Sequence, residues 1–310
     1  MLANTHRAAL LVSALALAPS LATAQDFFVD GLISLEISDG WEREGSNLID
    51  LGFGIAPGAA SPFGFEFGVF GHAYRSEFFD NTDLIGFAAL TVALGRGELH
   101  LGLPRSAVRG VSHIPALGGA RAAEINSGMF NGESLMSDYY SAYYAEPMTG
   151  VRYERQTGAL FTAISFGHIR EVGNLTGLGL VYEGTSGRVF GAYEQLHSES
   201  GDIRHAEVGA AYRFGGGTSS LPRTEVGGAV NFSDTFFDVT TTSLYATTAL
   251  ADRLDMTALI SQRHSWLGVL RMHSLSASYD LWNGVRLNVG AHGDHTSSQL
   301  TWVMGLSRDF

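Results

Sequence analysis

The 310-residue chain has no cysteine, which excludes disulfides, zinc–thiolate centres and thiol nucleophiles. It also has no lysine: all 19 cationic side chains are arginine, set against 31 carboxylates. The formal net charge of −12 argues against nucleic acid as a partner, because phosphate binding needs a positive surplus. After the first residues there is no long hydrophobic run. The longest, "LIGFAALTVALG", falls well short of the ~20 apolar residues of a transmembrane helix.

The N-terminal stretch "MLANTHRAALLVSALALAPSLATAQ" has the layout of an export signal. A basic start at His6 and Arg7 precedes an apolar stretch over residues 8–18, and Ala22 and Ala24 flank Thr23 as in a small-residue cleavage site. Residues 1–24 are therefore expected to be a signal peptide, leaving a mature domain of residues 25–310. Removing 24 of 310 residues leaves 286, and losing Arg7 moves the net charge from −12 to −13.

What the chain does have is glycine (39 residues), aromatic side chains (11%) and alternation. In "FGFEFGVFGHAY", Phe63, Phe65, Phe67 and Val69 oppose Glu66, Gly68 and His72. In "AEVGAAYRF", Val208, Tyr212 and Phe214 oppose Glu207, Gly209 and Arg213. The C-terminal "QLTWVMGLSRDF" sets Leu300, Trp302, Met304, Leu306 and Phe310 against Thr301, Gly305, Ser307 and Asp309. Period two with one apolar face marks a half-buried strand.

A β-sandwich alternates too, but two details favour a transmembrane barrel. The polar face is rich in glycine and small residues, as expected beside a wet lumen. The apolar face often ends in an aromatic, at Tyr74, Tyr153, Tyr182, Tyr212, Tyr279 and Trp302, as in interfacial girdles. The expected fold is all-β: a transmembrane antiparallel β-barrel of about 16 strands. Fourteen is the alternative, because residues 219–250 are poorly patterned. Tight turns are expected near residues 95, 155, 184, 251 and 282. Longer polar loops are expected at "SDGWEREGS", "YRSEFFDNT", "HIREVGN" and "HSESGD".

From residue 106 to 148 the alternation stops. A long irregular segment in a compact architecture is functional or disordered, and Ile114, Leu117, Ile125, Met129 and Phe130 argue against disorder.

The succession "GELHLGLPRSA", long loop, "GVRYERQTGALFTAISFGH" resembles the general Gram-negative porins across the mature chain. Two departures are Arg308, where the family has an apolar or aromatic residue, and "MFNGE", a loose match to the family's loop-tip segment. The resemblance implies an integral outer-membrane protein, assembled as a homotrimer, with a water-filled pore narrowed by its third loop (residues 105–148). Acidic loop residues would face basic wall residues, and ions and small hydrophilic solutes would diffuse passively between them. The implied partners are outer-membrane lipid, the outer-membrane assembly machinery (which would read Phe310 as its signal) and the solutes.

On this reading the loop acids are Glu124, Glu133, Asp138 and Glu146. The wall candidates are Arg152, Arg213, Arg286, His72 and His100. Arg152 leads, because it lies between outward-facing Val151 and Tyr153 directly after the loop. Charged rings of this kind select solutes by field and size without covalent chemistry. No catalytic residue, cofactor or metal site is expected.

Two rival readings remain. A substrate-specific channel, for sugars for example, would use Tyr139, Tyr140, Tyr143 and Tyr144 as stacking surfaces. A barrel enzyme would centre on His292, Asp294, His295 and Ser297 in "HGDHTSS", but no G-x-S-x-G or H-E-x-x-H accompanies them.

Overall fold

The computed structural model describes residues 27–39, 43–58, 61–75, 80–119, 141–199, 201–216, 222–234, 238–266, 268–282, 284–295 and 300–309. The expected signal peptide and Phe310 lie outside them. The strands of the first half are β1 (Phe27–Asp39), β2 (Arg43–Ile55), β3 (Phe63–Arg75), β4 (Asp80–Leu94), β5 (Gly97–Leu103), β6 (Met148–Thr157), β7 (Leu160–Ile169) and β8 (Gly173–Glu183). Those of the second half are β9 (Gly187–Ser198), β10 (Gly201–Phe214), β11 (Thr224–Ser233), β12 (Val239–Ala251), β13 (Leu254–Ser265), β14 (Gly268–Trp282), β15 (Val285–Asp294) and β16 (Leu300–Asp309). Every strand pairs antiparallel with its sequence neighbours, and β1 pairs with β16 from Leu32↔Asp309 to Asp39↔Trp302. The sheet is thus a closed sixteen-strand barrel, and closure leaves no strand edge unpaired.

The alternation sorts side chains as period two requires. Phe63, Phe67, Val208, Tyr212, Leu244, Ile260, Trp302 and Met304 point outward and are exposed, while Glu66, Glu207, Ser243, Ser261 and Ser307 are buried on the inner face. Tyr182, Tyr212, Tyr279 and Trp282 stand exposed near the tight-turn ends of their strands, and Trp266 and Trp302 stand at the opposite end.

Tight turns of two or three residues join β4–β5, β6–β7, β8–β9, β12–β13 and β14–β15. The longer polar loops expected at the other end are not there. Apart from one, the connections at that end span only two to five residues, because the strands continue into the polar segments: β1 through Asp39, β3 through Arg75 and β9 through Ser198. Backbone pairing continues wherever a partner strand is present, whatever the side-chain polarity.

The weak patterning of residues 219–250 comes from the outward positions of β12, where Thr240, Thr242, Ala246 and Thr248 alternate with only two leucines, Leu244 and Leu250. Ala229 of β11 and Tyr245 of β12 point inward, yet they belong to a buried apolar cluster with Phe190, Ala211, Leu259 and Met272 of neighbouring strands. The inner face there is otherwise polar, with Asn231, Ser233, Thr241 and Ser243 buried on it.

Candidate functional site

The apolar cluster on the inner wall has a counterpart in the β5–β6 connection. Val111, Ile114 and Leu117, all fully buried, complete the cluster. His113 meets Phe190 edge to face, with ring centroids 5.6 Å apart. Leu117–Gly119 forms a 3₁₀ turn against β14, β15 and β16. Wall glycines admit this backbone: a Cβ on Gly290 would lie 2.2 Å from the Gly118 carbonyl oxygen, and one on Gly179 2.2 Å from that of Ala107. Glycine at these inner-face positions reflects close backbone approach, where the sequence pattern had suggested a wet surface. On the return path the short helix α1 (Ser141–Tyr144) sets Ala142 against Leu48, Phe70, Ile85 and Phe87.

Between these apolar contacts the connection is held by charge. Arg105 is fully buried, ion-pairs with Asp50 and sits 4.8 Å over the Phe87 ring. Arg109 reaches Asp50 at 3.1 Å and Asp30 at 3.0 Å. Farther along, the Ser112 hydroxyl donates to Glu207 at 2.5 Å, and the Ala107 amide to Ser165 Oγ at 3.0 Å. Over residues 105–112, then, the connection contributes arginines and the wall contributes carboxylates. The sequence carried a signal for this: Asp50 is a lone carboxylate between Ile49 and Leu51, and parity points it inward.

The structure brings two of the expected wall residues together. His100 of β5 and Arg152 of β6 are direct cross-strand partners, both buried. Arg152 Nη2 donates to Glu66 Oε2 at 2.7 Å, and its Nε lies 3.1 Å from Glu154 Oε2. His100 Nδ1 is 3.0 Å from Glu66 Oε2, and its Nε2 3.4 Å from Glu154 Oε1. These residues, with Glu98, Asp30 and Arg109, line a cavity of about 380 Å³.

Arg213 and Arg286, on the far wall, share a second cavity of about 510 Å³ with Arg188, Arg223, Glu225 and Asp255. Glu225 organises it, accepting from Arg188 at 2.5 Å, Arg213 at 2.7 Å and the Tyr245 hydroxyl at 2.7 Å. Arg213 also pairs with Glu183 at 2.5 Å, and Arg286 with Asp280 at 2.7 Å. His113 borders this cavity, and burial, followed by the Arg188 charge, holds its imidazole below the usual histidine range.

The first cavity has four carboxylates against two arginines, and the second has four arginines against two carboxylates. The two cavities therefore differ in sign: carboxylates are in surplus around the first and arginines around the second.

The remaining candidates stand apart. His72 is buried on β3, cross-strand from Asp83. Glu146 pairs with exposed Arg170 at 3.7 Å. Glu124, Glu133, Asp138, Tyr139, Tyr140 and Ser297 lie outside the described residues, as does the Tyr143 side chain. His292 and Asp294 share the inner face of β15, and the carbon of a Cβ built on Gly118 would lie 3.2 Å from His292 Nδ1.

No family model and no curated protein matches the chain. Solved structures do. A doubly substituted Rhodopseudomonas blastica porin aligns with 92% of this chain and 100% of its own, at TM-score 0.62 and 14% identity. A triple mutant of that porin aligns over the same shares at TM-score 0.60 and 13% identity. The chain has the porin fold. A third structure of this fold, described as "Asymmetric conductivity of engineered proteins", covers the same shares at TM-score 0.58 and 13% identity. At such identities the likeness carries the porin architecture and no residue roles.

Proposed function

We propose that this chain is an outer-membrane porin through which ions and small hydrophilic solutes diffuse passively. The observation that carries the reading is a closed barrel with an apolar outer surface and an inner surface that bears ionised side chains of both signs. A lipid-facing band outside and ionised groups inside are what an aqueous channel across a bilayer requires. The fold shared with solved porins supports the same reading.

In this reading the β5–β6 connection, residues 105–148, is the constriction. Glu124, Glu133 and Asp138 approach the passage, and Arg152, His100, Arg213 and Arg286 contribute the wall field. The mature chain spans the outer membrane after removal of residues 1–24, assembles as a homotrimer and is inserted by machinery that reads the C-terminal Phe310. Transport proceeds without catalysis.

The test is single-channel recording of the refolded protein in a planar bilayer, with the reversal potential measured under a salt gradient. Stepwise openings in groups of three with weak ion preference support the reading. A folded, heat-modifiable barrel that passes no current would overturn it.

A further inference from the structure

The β5–β6 pair places two carboxylates where a β-ladder normally avoids them. Glu98 lies directly across from Glu154, on the face that also carries His100 and Arg152. Like charges directly opposite each other destabilise a strand pair, so the arrangement calls for a cation. One ligand atom from each of Glu98, His100 and Glu154 falls within 4.8 Å of the others. We propose that these three side chains bind a single divalent transition ion of the zinc class on the lumen wall.

The geometry around the three groups fits such an ion. The His100 Nε2–Glu154 Oε1 separation is 3.4 Å. Two ligands bonded at ~2.0–2.2 Å to a tetrahedral ion stand about 3.4 Å apart. The other ends of both ligands are already held. Glu66 Oε2 lies 3.0 Å from His100 Nδ1, the carboxylate–histidine arrangement that orients a metal-binding imidazole, and Arg152 Nε lies at ion-pair distance, 3.1 Å, from the second oxygen of Glu154.

Arg152 Nη2 lies 3.2 and 3.3 Å from the two ring nitrogens, but its shorter contact is to Glu66 at 2.7 Å. The guanidinium can therefore stay on the carboxylates while an ion takes Nε2. Glu66, Glu98 and Glu154 against Arg152 leave two negative charges beside a neutral imidazole, which matches a divalent ion. The cavity of about 380 Å³ lined by all three ligands leaves room for a water in the fourth position. An imidazole among only three protein ligands favours zinc-class ions over calcium, which takes 6–8 oxygens.

The site is tested on the refolded full-length barrel in detergent, stripped with chelator and titrated with Co²⁺ by visible absorbance and with Zn²⁺ by calorimetry. The expected result is one site per chain with a dissociation constant on the order of micromolar, abolished in His100→Ala and weakened at least ~10-fold in Glu98→Gln. His197→Ala, which removes an exposed histidine paired with Asp202, leaves the titration unchanged. The absence of a Co²⁺ spectrum in the wild type would overturn the proposal, as would an unaltered titration in His100→Ala. If that variant does not reach the heat-modifiable folded form, Glu98→Gln decides alone: its side chain is partly exposed, and wild-type affinity there refutes the site. Binding is read without current, so the outcome does not depend on the diffusion-pore reading.

Discussion

Replacing Arg105 with methionine removes one charge from a buried pair while keeping an apolar stem against Phe87. Removing one partner of a buried ion pair costs about 3–5 kcal/mol, because the survivor is left without compensation. Asp50 keeps Arg109 at 3.1 Å, so Arg105→Met belongs at the low end, about 3 kcal/mol on the same scale. Asp50→Asn removes the carboxylate that two arginines share. Arg109 retains Asp30 at 3.0 Å, but Arg105 is fully buried, so the loss belongs at the upper end, about 5 kcal/mol.

In the double variant Arg105→Met/Asp50→Asn the uncompensated pair is gone. Its total loss should fall short of the sum of the two singles by about 2–3 kcal/mol, at the upper end of coupling between residues in contact. Hydrogen exchange of peptides from residues 104–119 reads the local opening of the connection. Urea unfolding in lipid vesicles reads the barrel, which should change less, because sixteen ladders close independently of this pair. Additivity within ~0.5 kcal/mol, the behaviour of independent sites, would refute the claim that Arg105 and Asp50 latch the connection to the wall.

Leu244 is exposed at the middle of the outer face of β12, so Leu244→Arg should destabilise the folded barrel in vesicles by about 2–4 kcal/mol; an effect below 1 kcal/mol would mean this face does not meet lipid. Arg152→Ala leaves Glu66 and Glu154 without their shared cation and should move the reversal potential toward cation preference; an unchanged potential would place Arg152 outside the conducting path. His113 should titrate below the ordinary histidine value of about 6.5 when followed by NMR of the labelled imidazole. With the folded pKa depressed, the unfolded chain takes up the proton first, so folding stability falls as pH drops through about 6.5 and levels off below the folded value. His113→Gln should flatten that slope, and an unaltered slope would mean the histidine does not contribute to it.

The barrel is legible in the sequence because period two is a local property. Phe63, Phe65 and Phe67 against Glu66, or Trp302 and Met304 against Ser307, state which face meets lipid without reference to any other strand. The same parity rule pointed Arg152 and His100 inward. Alternation also gave a strand count of about sixteen, and among the strands it was weakest over residues 219–250, where threonine takes outward positions of β12.

What parity cannot supply is register and crossing, since both depend on chain segments far apart in sequence. Pairing and packing across the chain brought Asp50 under Arg105, placed Glu98 across from Glu154 with Glu66 behind His100, and gathered Arg188 and Arg213 around Glu225. The architecture and the two faces of every well-patterned strand follow from local sequence, because each is set by a residue and its immediate neighbours. Tertiary structure alone decided the polarity of the loop contacts and the candidate metal cluster. Those depend on which strands and which connection meet inside the barrel, and that is settled by pairing across the whole chain.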